Sequence, residues 1–126
     1  MNTNAQREEI STANLIENDE LSLLIQEMIA ELIGIYGDIL NSVVLYGSYA
    51  RGEQNDDSDI DIALFVRKSD DFLNNSMIEC VAAYELKTEK VLSVIDILQS
   101  KYDCWKNTLP FYKNINKEGI VLWKAA

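Results

Sequence analysis

The chain has 126 residues, 48% of them hydrophobic, which is enough for a packed core in one domain over 1–126 and leaves little room for a second. A formal net charge of −10 argues against a surface that grips duplex DNA through its phosphates. The sequence holds no histidine, so every imidazole base and every His-ligated metal is excluded within the chain.

Met1 to about Thr12 is polar and reads as a loosely ordered start without the apolar core of a signal peptide. No apolar run reaches the roughly 18 residues that span a bilayer, so no membrane partner is expected and the expected location is the cytoplasm. From about Leu15 to Tyr36 the chain has a helical period. Leu21, Leu24, Ile25, Met28, Leu32 and Ile35 recur at three- and four-residue steps and share one face. Asn14 or Asn18 is the expected cap, and Gly37 the expected stop.

Ser42 to Tyr46 is short, apolar and β-branched, the pattern of a buried strand. Gly47 to Ser58 is a polar loop with room for one helical turn at Ser48 to Arg51. Asp59 to Val66 reads as a second strand. Asp70 to about Leu86 reads as a helix, capped by Ser69 or Asp70, with Leu73, Met77, Cys80, Val81 and Tyr84 on its apolar face. Val91 to Leu98 is a third strand. The tail is expected to be mostly helical, with a helix around Asp103 to Thr108, then Pro110, and an apolar end at Gly119 to Trp123. Cys80 and Cys104 match no metal-ligand spacing and read as reduced thiols. This order predicts an α/β (α+β) fold, a small mixed β-sheet flanked by helices.

Two acids dominate the second strand. Asp59 and Asp61 stand two apart, so their carboxylates point to one face while Ile60 and Ile62 point to the other. Two strand steps separate them by roughly 6–7 Å. At that distance the charges repel by about 2–3 kcal/mol at an effective dielectric near 20. A divalent cation between them turns the repulsion into binding. Asp96 sits in a second apolar strand, Val94-Ile-Asp-Ile-Leu98, and is expected to converge with the pair if the two strands are neighbours. Three such carboxylates suit Mg²⁺, two ions by expectation, or Mn²⁺. Each part alone has a plainer reading: a solvated strand edge for the pair, a strand end for Asp96, an ordinary turn for Gly47-Ser48.

Gly47 follows Val43-Val-Leu-Tyr46 and lets the backbone approach a ligand closely. Ser48 offers a hydroxyl and an N–H, a natural phosphate seat. A hydrophobic residue, Gly-Ser, a ten-residue gap and Asp-Ile-Asp together resemble the signature of the polymerase β-type nucleotidyltransferase superfamily. The stretch from Leu45 to Ile62 looks especially like the minimal nucleotidyltransferases, and Lys117-Glu-Gly-Ile-Val-Leu-Trp123 is similar to their usual C-terminal end.

The resemblance implies a polymerase β-like fold with ATP as substrate. It implies Asp59, Asp61 and Asp96 as catalytic metal ligands. Gly47 and Ser48 would contact the nucleotide phosphates, with Arg51 and Ser58 added to the nucleotide-binding set. For Arg51, a loop salt bridge to Glu53 or Asp57 is an equal alternative. The family resemblance further implies the antitoxin of a HEPN/minimal-nucleotidyltransferase pair, moving AMP from ATP to a tyrosine of the partner HEPN toxin. Two alternatives stay open. One is an antitoxin that neutralises its partner by binding alone. The other is an aminoglycoside-type, small-molecule nucleotidyltransferase completed by another subunit, or by a second copy in a homo-oligomer.

Overall fold

The computed structural model describes residue 10 and residues 19–126. The polar start, the helix onset near Leu15 and the cap at Asn14 or Asn18 therefore lie outside the described residues, apart from Ile10. Helix α1 runs Asp19–Tyr36 and ends where Gly37 takes a left-handed φ of 57°, followed by a 3₁₀ turn at Gly37–Ile39. Strand β1 is Leu40–Tyr46, α2 is Gly47–Arg51, β2 is Ile60–Val66, α3 is Asp71–Thr88 and β3 is Leu92–Leu98. Helices α4 (Gln99–Trp105) and α5 (Pro110–Glu118) precede β4 (Ile120–Lys124).

The sheet order is β3-β2-β1-β4. Strands β1 and β2 are antiparallel, β4 is antiparallel to β1, and β3 is parallel to β2. Parallel neighbours need a crossover, and α3 supplies it. The three expected strands and both long helices are present. The tail differs from expectation. Pro110 opens a helix at its first position, where the missing N–H costs nothing, and the apolar end, for which the sequence offers no type, is a fourth strand.

Helices α1 and α3 cover one face of the sheet. Ile25, Met28, Ile29 and Leu32 of α1 are fully buried against Val43, Leu45, Ile60, Ile62 and Leu64. Each such side chain contributes about 1.5–3 kcal/mol of burial. From α3, Met77, Val81 and Tyr84 are buried, and Leu73 and Cys80 pack beside them, as the helical period predicts. Asp70 caps α3 by accepting the Leu73 N–H at 3.0 Å. Helices α4 and α5 cover part of the other face, where Val44, Ala63, Phe65, Ile97 and Ile115 form a smaller core flanked by Tyr102 and Tyr112. The start of β2 and α2 meet at the edge of this cover, where α2 contacts the end of α5, and that corner carries the candidate site.

Candidate active site

Asp59 is exposed immediately before β2, and Asp61 is the second residue of that strand, half-buried. Ile60 and Ile62 between and after them are fully buried on the α1/α3 face. Strand alternation therefore turns both carboxylates away from the main core, toward the end of β1. Asp61 lies level with Tyr46 in the antiparallel register, so it meets the chain as β1 turns into α2.

Gly47 makes that meeting possible. Its φ is +75°, and a Cβ built on it would stand 2.2 Å from Asp61 Oδ2. No other residue fits the place without moving the carboxylate. Burial raises the Asp61 carboxyl above its ordinary value, and the Asp59 charge raises it further. Arg51 opposes this and Glu118 adds to it. Burial and Asp61 together push the Tyr46 phenol up to about 12.

Ser48 is half-buried on α2 beside Gly47. Ser58 lies in the loop just before β2. Its hydroxyl accepts the Asn55 N–H at 2.9 Å and its N–H donates to the Asn55 carbonyl at 3.1 Å, which shapes the loop that delivers Asp59. Arg51 pairs with Glu53 at 2.8 Å, one of its two expected loop partners, and also with Glu118 at 3.1 Å.

The structure does not bring Asp96 to the pair. In the parallel register Asp61 stands beside Ser93, and Asp96 stands beside Leu64. Asp96 is thus about 10 Å further along the sheet and on the opposite face. There it accepts hydrogen bonds from the Tyr36 hydroxyl at 3.0 Å and from Asn74 Nδ2 at 2.9 Å. These contacts tie the end of α1 and the start of α3 to β3. Burial and the neighbouring Asp96 charge raise the Tyr36 phenol well above its ordinary value. Among the described residues no cluster of three or more acidic, histidine or cysteine side chains forms a metal site. Asp96 therefore does not join Asp59 and Asp61 in the expected three-acid cluster.

Glu118 is the site residue that sequence reasoning did not single out. Its carboxylate accepts the Gly47 N–H at 3.2 Å and pairs with Arg51. The contact spans 71 residues, and only the Lys117-Glu-Gly tail hinted at its importance. A further cavity lies along the same sheet face under α4 and α5, lined by Val44, Phe65, Gln99, Tyr102 and Asn116 among others.

This geometry can be set beside known proteins. A Methanocaldococcus jannaschii protein, named as a proposed protein adenylyltransferase, is 32% identical over 77 residues, covering 60% of this chain and 78% of the relative. A chain of a toxin–antitoxin complex crystallised with AMP-PNP superposes with a TM-score of 0.53 at 20% identity, over 79% of this chain and 73% of that one. A chain from the Shewanella oneidensis complex of a tri-AMPylated HEPN toxin with its MNT antitoxin superposes with a TM-score of 0.50 at 18% identity, over 83% and 73%. At such identities the two superpositions speak for the fold alone. The family model described as polymerase beta, nucleotidyltransferase matches residues 27–126, which takes in every strand of the described residues and the whole candidate site. On that match the chain belongs to the polymerase beta nucleotidyltransferase family.

Proposed function

We propose that this nucleotidyltransferase moves AMP from ATP to a tyrosine hydroxyl of a HEPN-family toxin and so acts as the toxin's antitoxin in the cytoplasm. Asp59 and Asp61 are the catalytic, metal-holding pair. Gly47, Ser48 and Arg51 receive the nucleotide phosphates. Ser58 shapes the loop before Asp59, and Asp96 braces the fold at the far end of the sheet.

The observation that carries the reading is the seating of the Asp61 carboxylate against Gly47, where any Cβ would have to push the carboxylate aside. It joins an acid pair and a donor loop in one small space. The donor set fits Mg²⁺ or Mn²⁺: two hard carboxylates leave most coordination positions to water and to substrate phosphates. A cation bound there would neutralise phosphate charge and act as a Lewis acid toward the phosphoryl oxygens.

The chain's own contribution is mainly placement. Asp61 is held by strand pairing with β1 and by its fit against Gly47. Asp59 is held by the Asn55–Ser58 turn. The acceptor hydroxyl releases its proton to solvent as its oxygen forms a bond to the α-phosphorus and the bond to pyrophosphate breaks. The adenylyltransferase name of the Methanocaldococcus relative supports AMP as the group moved. The tri-AMPylated toxin of the Shewanella complex supports a HEPN protein as acceptor.

The test is intact-protein and peptide mass spectrometry of a co-expressed HEPN-family protein, beginning with any encoded next to this chain, after incubation with ATP and Mg²⁺. The expected result is a mass increase of one or more AMP units mapped to tyrosine. A partner neutralised with no added mass would refute the reading in favour of binding alone.

A further inference from the structure

The two donors offered to a phosphate, the Gly47 N–H and the Arg51 guanidinium, are both engaged by one carboxylate. Glu118 Oε1 accepts from Gly47 N at 3.2 Å and from Arg51 Nη1 at 3.1 Å, and Oε2 lies 3.2 Å from the same nitrogen. Its side chain is only 22% exposed.

Apart from these two donors, the surroundings disfavour a carboxylate there. Glu118 is the last residue of α5, where the negative end of the helix dipole disfavours an acid. Its charge also opposes ionised Asp61. The backbone nevertheless fixes it in place. A Cβ on Gly119 would stand 2.4 Å from the Ile115 carbonyl oxygen and 2.8 Å from Val44 Cγ1, so this glycine lets the end of α5 close onto β1.

We propose that Glu118 is a built-in surrogate for nucleotide phosphate. Its carboxylate holds the Gly47 N–H and Arg51 in their receiving arrangement, and a phosphoryl group of the incoming nucleotide displaces it. This rests on the reading of Gly47 and Arg51 as the phosphate seat. A carboxylate and a phosphate both offer oxygens to a guanidinium N–H; here Arg51 Nη1 meets both Glu118 oxygens while its Nε is held by Glu53. A phosphate carrying more charge outcompetes a single carboxylate once a cation at Asp59 and Asp61 offsets the added repulsion. The alternative is a strut that only fastens α2 to α5. The two differ in sign, because removing a competitor tightens nucleotide binding and removing a strut weakens it.

The experiment is calorimetric titration of the full chain with AMP-PNP in Mg²⁺, for wild type, Glu118→Gln, Glu118→Ala and Arg51→Ala. Both Glu118 variants are expected to bind about ten-fold more tightly, the scale of removing one partly exposed charge-assisted competitor. Arg51→Ala is expected to bind more weakly than wild type. Glu118 variants that melt cooperatively yet bind equally or more weakly overturn the inference while leaving the nucleotidyltransferase reading intact. If neither variant folds, amide NMR of the ¹⁵N-labelled wild type decides. The Gly47 signal must move on adding AMP-PNP and Mg²⁺, and an unmoved Gly47 in a chain that binds nucleotide overturns the inference. Failure of wild type to bind at all overturns the nucleotidyltransferase reading and this inference with it.

Discussion

Replacing Asp61 by Asn should stabilise the cation-free protein while removing its response to Mg²⁺. The Asp61 carboxyl is raised above its ordinary value of 3.8, first by burial and then by Asp59, and Arg51 only partly offsets this. A raised carboxyl means that the ionised form is less favourable in the folded chain than in the unfolded one. The penalty is absent below the unfolded value and complete above the folded one. At pH 7 the substitution therefore relieves it. Two charges roughly 6.5 Å apart repel by about 2.5 kcal/mol at an effective dielectric near 20, and by about 0.6 kcal/mol in bulk water. Asp59 is exposed, so the relief lies toward the lower figure, about 1 kcal/mol. For a domain of this size that is about 3–5 °C in Tm. The assay is thermal unfolding at pH 7 in EDTA and in millimolar Mg²⁺. Wild type should gain Tm from Mg²⁺, and Asp61→Asn should start higher and gain little. The advantage of the variant in EDTA should shrink as pH falls toward 4. A variant that melts lower than wild type in EDTA, or gains as much from Mg²⁺, refutes the reasoning.

Three further outcomes follow from the same geometry. Gly47→Ala forces a Cβ onto the Asp61 carboxylate and places an L-residue at φ +75°, which should cost about 1–2 kcal/mol in backbone strain alone; the variant should lose Mg²⁺-dependent transfer, and unchanged transfer would contradict the packing argument. Asp96→Asn disturbs the bonds to Tyr36 and Asn74. It should lower stability by about 1–2 kcal/mol in urea unfolding while nucleotide binding and transfer persist; abolished binding in a folded variant would restore Asp96 to the site. The Mg²⁺-induced rise in Tm should decline on acidification at a pH above the ordinary aspartate value, because Asp61 must lose its proton to hold the cation; a rise that persists unchanged below pH 4 would contradict the assignment of Asp61.

The corner built from Gly47, Asp59 and Asp61 was legible because local rules fix it. Period-two alternation sets the faces of Asp59 to Ile62, and a glycine directly after an apolar strand marks a close backbone approach. The position of Asp96 was not legible, for an equally physical reason. Leu92, Val94, Ile95, Ile97 and Leu98 are apolar on both strand faces, so alternation gives no parity. Only the register with β2 decides which face an acid takes, and that register sets Ser93 beside Asp61. Glu118 reaches Gly47 by tertiary closure of α5 on β1, which no local pattern encodes. The C-terminal strand was read as apolar without its type, because a short apolar run fits a strand and a buried helix equally well. Pro110 carries no assigned element in the sequence, and at a first helical position it starts a helix.

The most direct measurement of the central claim is transfer of label from [α-³²P]ATP to the co-expressed HEPN-family protein, by wild type and by the Asp59→Asn and Asp61→Asn variants in Mg²⁺. Labelling by wild type, lost in both variants while each still melts cooperatively, is the predicted result. Undiminished labelling by either folded variant would contradict it.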